Sequence, residues 1–346
     1  MRRMIRLWVA AACFVFLLVG CTRPATQKIV GDSLVLAKET PAFLLAGDLD
    51  RRSVVVRSTY EPGGTIYQPG RDYRVDATAG TIARMPGSRI PDFATNVLFG
   101  RKDFDHGQFP GYGNGKFFVY VDYETRRPVK LASPRDASAT LAKTAAKLRG
   151  GDSVKVIAFG DSITAGGEAS TVALQYPSRY VDHLRRRFPR AEITLENGAT
   201  GGDNTVQGLA RLEKKVLSRR PDLVLVAFGM NDHNRLGVGG VAVEDFKENL
   251  KTIVARIREK TGADVILLSA FPPHPDWHYG THQMEHYAGA TEAAAAESCV
   301  AYADVFAVWQ KVLARKDPSS SLANNINHPN DFGHWLYLQP LMALGF

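Results

Sequence analysis

The tripeptide Gly-Asp-Ser occurs three times in the chain, beginning at Gly31, Gly151 and Gly160. A serine hydroxyl becomes a nucleophile when a neighbouring base takes its proton, so each copy is a candidate for covalent catalysis. Only Ser162, in the third copy, directly follows an apolar run, residues 154–159, which predicts a buried strand ending in a tight turn. The first copy has no such strand before it, and the second precedes the strand. We therefore predict Ser162 as the nucleophile, at the sheet edge where open α/β proteins carry their chemistry.

Three further polar segments follow predicted strands or precede the last helix. They are residues 197–203, 229–232 and 325–330. Attack on an acyl carbonyl creates an oxyanion that needs fixed N–H donors. The backbone N–H groups of Ser162 and Gly202 and the side-chain amide of Asn231 are predicted to supply them. His328 is predicted to be the base that activates the serine.

These four segments, in this order, resemble the four signature blocks of the SGNH, or GDSL-type, hydrolase superfamily. The resemblance covers about residues 151–346. It implies a flavodoxin-like α/β/α domain with a parallel sheet and esterase chemistry that needs no metal and no other cofactor. It also implies that Ser162 is the nucleophile, Gly202 and Asn231 are oxyanion donors, and His328 is the base.

One position departs from the superfamily pattern. The last block usually reads Asp-x-x-His, whereas Asn325 stands three residues before His328. An aspartate would orient the imidazole and stabilise its charged form, but an asparagine can only accept the ring N–H. Three interpretations stay open: Asn325 orients His328, a backbone carbonyl does so, or Asp331 reaches it. We expect Asn325 or a carbonyl.

The second half of the chain alternates strands and helices. The predicted strands are residues 154–159, 192–195, 223–228, 265–269 and 300–303. An amphipathic helix between the third and fourth carries Phe246, Leu250, Ile253, Val254 and Ile257 at helical spacing. Such alternation predicts a mostly parallel sheet with helices on both faces.

The first half follows a different pattern. Residues 27–128 contain short β-prone segments separated by closely spaced Pro-Gly turns, which predicts a small all-β, sandwich-like domain. Residues 135–150 are helix-prone and are predicted to link the two parts. The predicted organisation is a signal peptide at residues 1–20, a β-domain at 27–128, the linking helix and a hydrolase domain at 151–346.

The loop after the fourth strand of this domain contains His274, His278, His282 and His286. The last two match His-x-x-Glu-His, a zinc-peptidase motif. Prolines and Gly280 break any helix through the first two, and no third ligand follows, so we predict no metal site. Because the loop leaves the active edge of the sheet, we instead expect His274 and Trp277 to contact a sugar. Asp232 is a further candidate substrate contact, although its ordinary role is to hold its own turn.

The N-terminus predicts export. Residues 1–6 are basic, residues 7–19 are apolar, and Leu18-Val19-Gly20-Cys21 resembles the lipobox of bacterial lipoproteins. We expect lipidation at Cys21 and a location in the bacterial cell envelope, facing the periplasm or the exterior. Cys299 would then be the remaining thiol, predicted to lie in a buried strand. The net charge of +8 comes without a dense Lys/Arg block, so no nucleic-acid partner is expected.

A β-domain ahead of an SGNH domain resembles some carbohydrate esterases. The expected protein is therefore a lipid-anchored serine esterase that removes small acyl groups, above all acetyl, from carbohydrates. One alternative is a lipase, lysophospholipase or thioesterase acting on longer acyl chains, and another is an acyltransferase. A different class is a non-catalytic surface lipoprotein that binds glycans through its β-domain. Fold alone does not choose between them.

Overall fold

A five-stranded parallel sheet organises the C-terminal part of the protein. The computed structural model describes residues 26–237 and 239–346. The strands of this sheet are β8 (Val154–Gly160), β9 (Ile193–Asn197), β10 (Leu223–Ala227), β11 (Asp264–Leu268) and β12 (Ala301–Ala303). Their spatial order is β12-β11-β10-β8-β9, and every neighbouring pair is parallel. This is the flavodoxin-like order, which confirms the predicted fold class.

Helices cover the sheet. They are α1 (Ala142–Gly150), α2 (Tyr176–Arg187), α3 (Thr205–Lys215), α4 (Met230–His233), α5 (Val243–Thr261), α6 (Met284–Glu297), α7 (Val305–Leu313) and α8 (Asp331–Met342). The five apolar residues predicted at helical spacing in α5 are all buried. All five residues of β10 are buried as well, as expected for a central parallel strand. The strand order reverses between β8 and β10, and ligands of such sheets bind at the carboxyl ends of the strands there.

Two small antiparallel sheets make up most of the N-terminal part. Their strands are β1 (Gln27–Val35), β2 (Ala42–Phe43), β3 (Val55–Arg57), β4 (Tyr73–Asp76), β5 (Thr81–Arg84) and β6 (Phe118–Thr125). The sheet orders are β1-β6-β3 and β2-β5-β4. These sheets agree with the predicted all-β character of the region, whereas its end at residue 128 stays a prediction. Residues 85–117, between β5 and β6, form turns and 3-10 segments that pack onto the C-terminal part.

Two local predictions were wrong. The linking helix begins at Ala142, because Arg135 and Asp136 instead form β7 (Arg135–Asp136), which pairs with β13 (Leu344–Gly345). Cys299 is exposed in a turn between α6 and β12 at a φ of 49°, not in a buried strand. The strand begins only at Ala301, because the turn must first reverse the chain after α6.

The predicted signal peptide and Cys21 lie outside the described residues. Within the described ranges, no helix is both long and apolar enough to cross a membrane.

The first Gly-Asp-Ser copy, for which no role was predicted, lies inside β1 and joins the two parts of the protein. Asp32 and Lys316 form an ion pair 2.5 Å long, and both side chains have no exposed surface. The carboxylate of Asp32 also accepts hydrogen bonds from Leu45 N (2.6 Å) and the Tyr123 hydroxyl (2.9 Å). The ammonium of Lys316 also donates to Ser33 O (2.8 Å). Each charge therefore has several partners in place of water.

Removal of one partner of this pair is expected to destabilise the protein strongly. In Asp32→Ala the Lys316 ammonium stays buried without its counter-charge, so the free energy of unfolding should fall by about 3–5 kcal/mol. Urea unfolding followed by circular dichroism measures the loss. Arg127→Ala breaks an exposed ion pair with Asp48 in the same region and should cost less than about 1 kcal/mol. Equal losses in the two variants would contradict a stabilising role for the buried Asp32–Lys316 ion pair.

Candidate active site

Ser162 and His328 meet at the carboxyl end of the sheet. The Ser162 Oγ lies 2.8 Å from Nε2 of His328, and both residues are half-buried. Ser162 is the second residue after β8, which ends at Gly160, and this glycine permits the placement of the serine. A Cβ at Gly160 would lie 2.2 Å from the carbonyl oxygen of Ala227, so no other residue fits where β8 and β10 end side by side.

The loop after β8 is fixed by its own carboxylate. Asp161 is buried, and its Oδ1 accepts from Ile163 N at 2.9 Å. Burial raises the pKa of this carboxyl to about 7. The Ser162 carbonyl oxygen accepts from Gly167 N at 2.8 Å, which closes the turn around the serine. Asp161 thus holds the loop, as is common for aspartates in turns.

Two backbone N–H groups are available beside the serine. Within the described residues, neither Ser162 N nor Gly202 N donates a hydrogen bond. Gly202 has a φ of 80°, and a Cβ built at Gly201 would lie 3.8 Å from the Cβ of Ser162, so this glycine loop runs along the nucleophile. The arrangement suits an oxyanion, which needs donors close to the attacked carbonyl.

Asn231 has one side-chain hydrogen engaged and one available. Its Nδ2 donates to Asp203 O at 2.9 Å, and no other acceptor among the described residues bonds to this nitrogen. That bond ties α4 to the loop of Gly202. The predicted donors Ser162, Gly202 and Asn231 therefore all come from loops at the same end of the sheet, after β8, β9 and β10.

The prediction that Asp232 contacts substrate was wrong. Asp232 has no exposed surface, and its Oδ1 accepts from both N and Oγ1 of Thr205. Its Oδ2 accepts from Gly229 N at 3.0 Å. Burial raises the pKa of Asp232 to about 6. The residue locks the start of α3 to the end of β10, which keeps Asn231 beside the Gly202 loop.

His328 is carried by residues 319–330, hereafter the His328 loop, which precede α8. Oδ1 of Asn324 accepts from the backbone N of Ile326, Asn327 and His328, at 2.9–3.0 Å. The carbonyl oxygen of His328 accepts from Ala323 N at 2.8 Å. Asn324 was not among the predicted site residues, although the asparagine-rich run from 324 to 330 is typical of turns capped by side chains.

The imidazole of His328 is ready to accept a proton. Burial lowers the pKa of His328 to about 4, so the ring is neutral at neutral pH. Gly167 lies against the ring, because a Cβ there would approach Nδ1 to 3.2 Å. Behind Gly167 lies His334, whose Nε2 is 3.3 Å from the Gly167 carbonyl oxygen. His334 has no exposed surface and therefore supports the loop instead of lining the site.

The expectation that Asn325 orients His328 was wrong. Oδ1 of Asn325 accepts instead from Nδ2 of Asn114, at 3.0 Å. Asp331, the third interpretation, accepts from Ser170 N at 2.8 Å. No residue in the described ranges, through side chain or carbonyl, forms a hydrogen bond with Nδ1 of His328. The geometry is therefore that of a serine–histidine pair without a third member.

Trp277 is not available for the predicted sugar contact, whereas the predicted contact of His274 stays a prediction. Trp277 is 2% exposed, and its Nε1 donates to Nδ1 of His106 at 3.1 Å. His274 packs against Phe104, and its Nδ1 accepts from Asp276 N. Residues 98–112 cover this loop and bury Trp277, whereas His274 is half-buried. As for the four loop histidines, the described residues contain no group of three or more His, Cys, Asp or Glu placed to hold a metal ion.

An aromatic cluster borders the His328 loop where the sugar contacts were expected. Its members are Phe104, His106, Phe109, Tyr112, Trp277 and Tyr279. Phe104 and Trp277 are buried with Ile326, two residues before His328. Phe109, Tyr112 and Tyr279 are only partly buried. Rings from both halves of the chain thus remain accessible beside the site.

Comparison with known proteins identifies the family. The model of the GDSL-like lipase/acylhydrolase family matches residues 158–336, which is more than half of the chain. The chain belongs to the GDSL-like lipase/acylhydrolase family. The match begins near the end of β8 and ends within α8, so it encloses Ser162, Gly202, Asn231 and His328. This confirms the resemblance drawn from the four segments.

Among GDSL-family relatives, an arylesterase of Vibrio mimicus is 32% identical over 121 residues, which are 35% of this chain and 56% of that protein. The chain therefore spans little more than half of that relative. An acetylxylan esterase of Geobacillus stearothermophilus is 24% identical over 57% of this chain and 96% of its own length. A solved two-domain esterase active on acetylated mannans shares the fold, with a TM-score of 0.50 and 23% identity over 60% of this chain and 53% of that one.

Substitutions in the GDSL-family site should separate His328 from Asn325. Removal of a general base costs about 10²–10⁴ in rate, so His328→Ala should lose that much of kcat. Asn325→Ala should lose about tenfold or less, because its side chain contacts Asn114 and not the imidazole. The comparison uses p-nitrophenyl acetate hydrolysis at pH 7. Equal losses would make Asn325 a full member of the catalytic group.

The pH dependence should reflect the buried imidazole. Protonated His328 cannot accept the serine proton, so kcat/KM should be constant above the pKa and fall as pH drops through about 4. An acid limb near 6.5, the ordinary value of histidine, would contradict the effect of burial. A histidine buried in its neutral form also costs stability as pH falls from about 6.5 to 4, because the unfolded chain binds the proton first. The folded fraction is therefore measured by circular dichroism at each pH.

Proposed function

We propose that this protein hydrolyses carboxylic esters with Ser162 as nucleophile and His328 as general base. The observation that carries the proposal is the 2.8 Å contact between Ser162 Oγ and His328 Nε2 at the carboxyl end of the sheet. Two backbone N–H groups and one side-chain N–H lie beside it without another acceptor among the described residues. These are the parts that acyl transfer requires.

The reaction follows from these positions. Ser162 Oγ forms a bond to the acyl carbon while its proton passes to Nε2 of His328. The carbonyl oxygen becomes an oxyanion held by N–H groups of Ser162, Gly202 and Asn231, each worth about 2.7–4 kcal/mol of transition-state stabilisation. The intermediate collapses, and His328 returns the proton to the departing alcohol. Water then attacks the acyl-serine by the same route, releasing the acid and restoring Ser162.

The pair works without a carboxylate behind the histidine. The imidazolium that forms after proton transfer lies in a buried setting, where charge is costly. The oxyanion created in the same step is its nearest counter-charge. We infer that the two charges stabilise each other until the alcohol leaves, so that a dyad suffices for hydrolysis of the ester.

For the substrate, we propose a small acyl group, above all acetyl, on a carbohydrate. The partly buried rings of Phe109, Tyr112 and Tyr279 beside the His328 loop support this, because aromatic faces pack against the apolar faces of sugars. The relative known as an acetylxylan esterase, which matches over nearly its whole length, points the same way. The carbohydrate would lie over the aromatic cluster with its ester directed at Ser162.

We further propose that a lipid on Cys21 anchors the protein in the bacterial cell envelope. β1 begins at Gln27, six residues after Cys21. Six extended residues span at most about 20 Å. An anchor there would hold the β-sheets close to the membrane surface.

A second candidate is hydrolysis of longer acyl esters. Three apolar side chains are exposed in the segments that follow Ser162, Gly202 and Asn231. They are Val172 (71% exposed), Val206 (55%) and Leu236 (42%). If they line a common path, a longer chain has apolar surface to contact at the rim of the site.

A chain-length series tests both candidates. Purified protein is assayed with p-nitrophenyl esters from acetate to palmitate and with acetylated xylan, mannan and peptidoglycan fragments. The acetyl proposal expects the highest kcat/KM for acetate, release of acetate from at least one glycan, and loss of both in Ser162→Ala.

Each other outcome has a defined meaning. A preference for long chains favours the second candidate, and glycan binding without turnover favours a non-catalytic role. Activity that survives in Ser162→Ala would overturn the nucleophile assignment. Transfer of the acyl group to an added sugar, in place of release, would make the protein an acyltransferase.

A further inference from the structure

The His328 loop differs from the other three site loops in what supports it. Ser162, Gly202 and Asn231 follow strands of the central sheet. His328 lies in the irregular stretch between α7 and α8, whose only regular element is the 3-10 segment Pro318–Ser320. Something outside the sheet must therefore fix its backbone.

Asn114, in the N-terminal part, contacts this loop directly. The side chain has no exposed surface, and its Nδ2 lies 2.9 Å from Leu322 O and 3.1 Å from Ser319 O. The same Nδ2 lies 3.0 Å from Oδ1 of Asn325, which is 211 residues away in sequence. Two hydrogens thus serve three acceptors. The backbone N of Asn114 adds a 2.6 Å hydrogen bond to Ala323 O.

The residues that Asn114 contacts are connected to His328 by short hydrogen bonds within the loop. Leu322 and Ala323 immediately precede Asn324, whose side chain accepts from His328 N. Ala323 N also donates to the His328 carbonyl oxygen. Asn325 has a φ of 59°, a left-handed conformation that asparagine tolerates better than most residues. The hydrogen bond from Asn114 engages Oδ1 of Asn325, which forms no hydrogen bond with the imidazole of His328.

Asn114 is itself held in one orientation. Its Oδ1 accepts from Nδ2 of Asn96 at 3.1 Å. The amide of Asn96 also reaches Tyr112 O and Gly113 O, at 3.2 Å each. Hydrogen bonds on both the oxygen and the nitrogen of its amide therefore hold the Asn114 side chain against the His328 loop.

We propose that Asn114 is a positioning residue for His328, so that the N-terminal part completes the catalytic site. The inference rests on the proposed function of His328 as base. Asn114 would do by fixing the loop what an acidic residue three positions before the histidine does by bonding to the ring. This role predicts that a substitution of Asn114 alters proton transfer more than substrate binding.

The kinetic test compares Asn114→Ala with a matched control in the full-length protein. Thr125→Val removes the hydroxyl of another buried residue of the N-terminal part, which makes three hydrogen bonds, to Gly47 and Arg127 and not to the His328 loop. Misplacement of a catalytic group by about 1 Å costs about 10²-fold. We therefore expect Asn114→Ala to lower kcat for p-nitrophenyl acetate by about 10- to 100-fold, with KM within about twofold. Thr125→Val should change kcat by less than about threefold.

A merely structural role predicts a different result. Equal kcat values for Asn114→Ala and Thr125→Val, at equal folded fractions, would overturn the proposal. Asn114→Ser retains one donor and should give an intermediate kcat; it replaces the alanine variant if that one does not fold. An effect on KM alone would also contradict a role in proton transfer.

A second readout does not depend on turnover. The His328 ring is titrated by NMR of ¹³C-labelled histidine, with His328→Gln used to assign its signal. In Asn114→Ala the loosened loop should admit water, and the pKa of His328 should rise toward the ordinary 6.5. Thr125→Val should leave it unchanged. If no ester is hydrolysed by the wild type, the proposed function fails, but an unchanged His328 titration is still needed to overturn the role of Asn114.

Discussion

The buried ion pair between Lys316 and Asp32 is the constraint on which the rest of the site depends. Neither charge has any contact with water, so separation of the two would leave each unsolvated inside the protein. Lys316 stands three residues before the His328 loop, and Asp32 lies in the first strand. The adjacent Ser33 extends the contact, because its hydroxyl donates to Ser320 O at 2.6 Å. The loop that carries the base therefore starts from a fixed point on β1.

Two architectures share the work of positioning the site. The parallel sheet delivers Ser162, Gly202 and Asn231 to one edge, because the carboxyl ends of parallel strands meet there. It has no strand to offer His328, which comes after the last strand and one further helix. The N-terminal part supplies the missing support through Asn114 and the β1 contacts. The family match, which begins at residue 158, covers only the first of these two architectures.

Local patterns in the sequence predicted the sheet and the position of Ser162 just after β8. Apolar runs marked the buried strands, and the polar segments after them marked the site, because each of these features is written within a few neighbouring residues. The support of His328 left no such mark. Asn114 and Asn325 are 211 residues apart, and Asp32 and Lys316 are 284 apart, so only the folded chain brings them together. The predicted sugar contact of Trp277 was wrong for the same reason, because residues 98–112, which are distant in sequence, bury its side chain.

The distance along the chain between Asp32 and Lys316 also sets an order of assembly. Contacts of such long sequence separation form late, because the chain between them must first lose the conformational entropy of a large loop before the contacts can stabilise the fold. During synthesis the strands that carry the serine and its oxyanion donors emerge about a hundred residues before the base. A chain interrupted ahead of residue 316 would contain all five strands of the central sheet and the proposed nucleophile, but neither the proposed base nor Lys316, which ties the His328 loop to β1. The proposed pair of Ser162 and His328 is therefore completed only when the last part of the chain has joined β1.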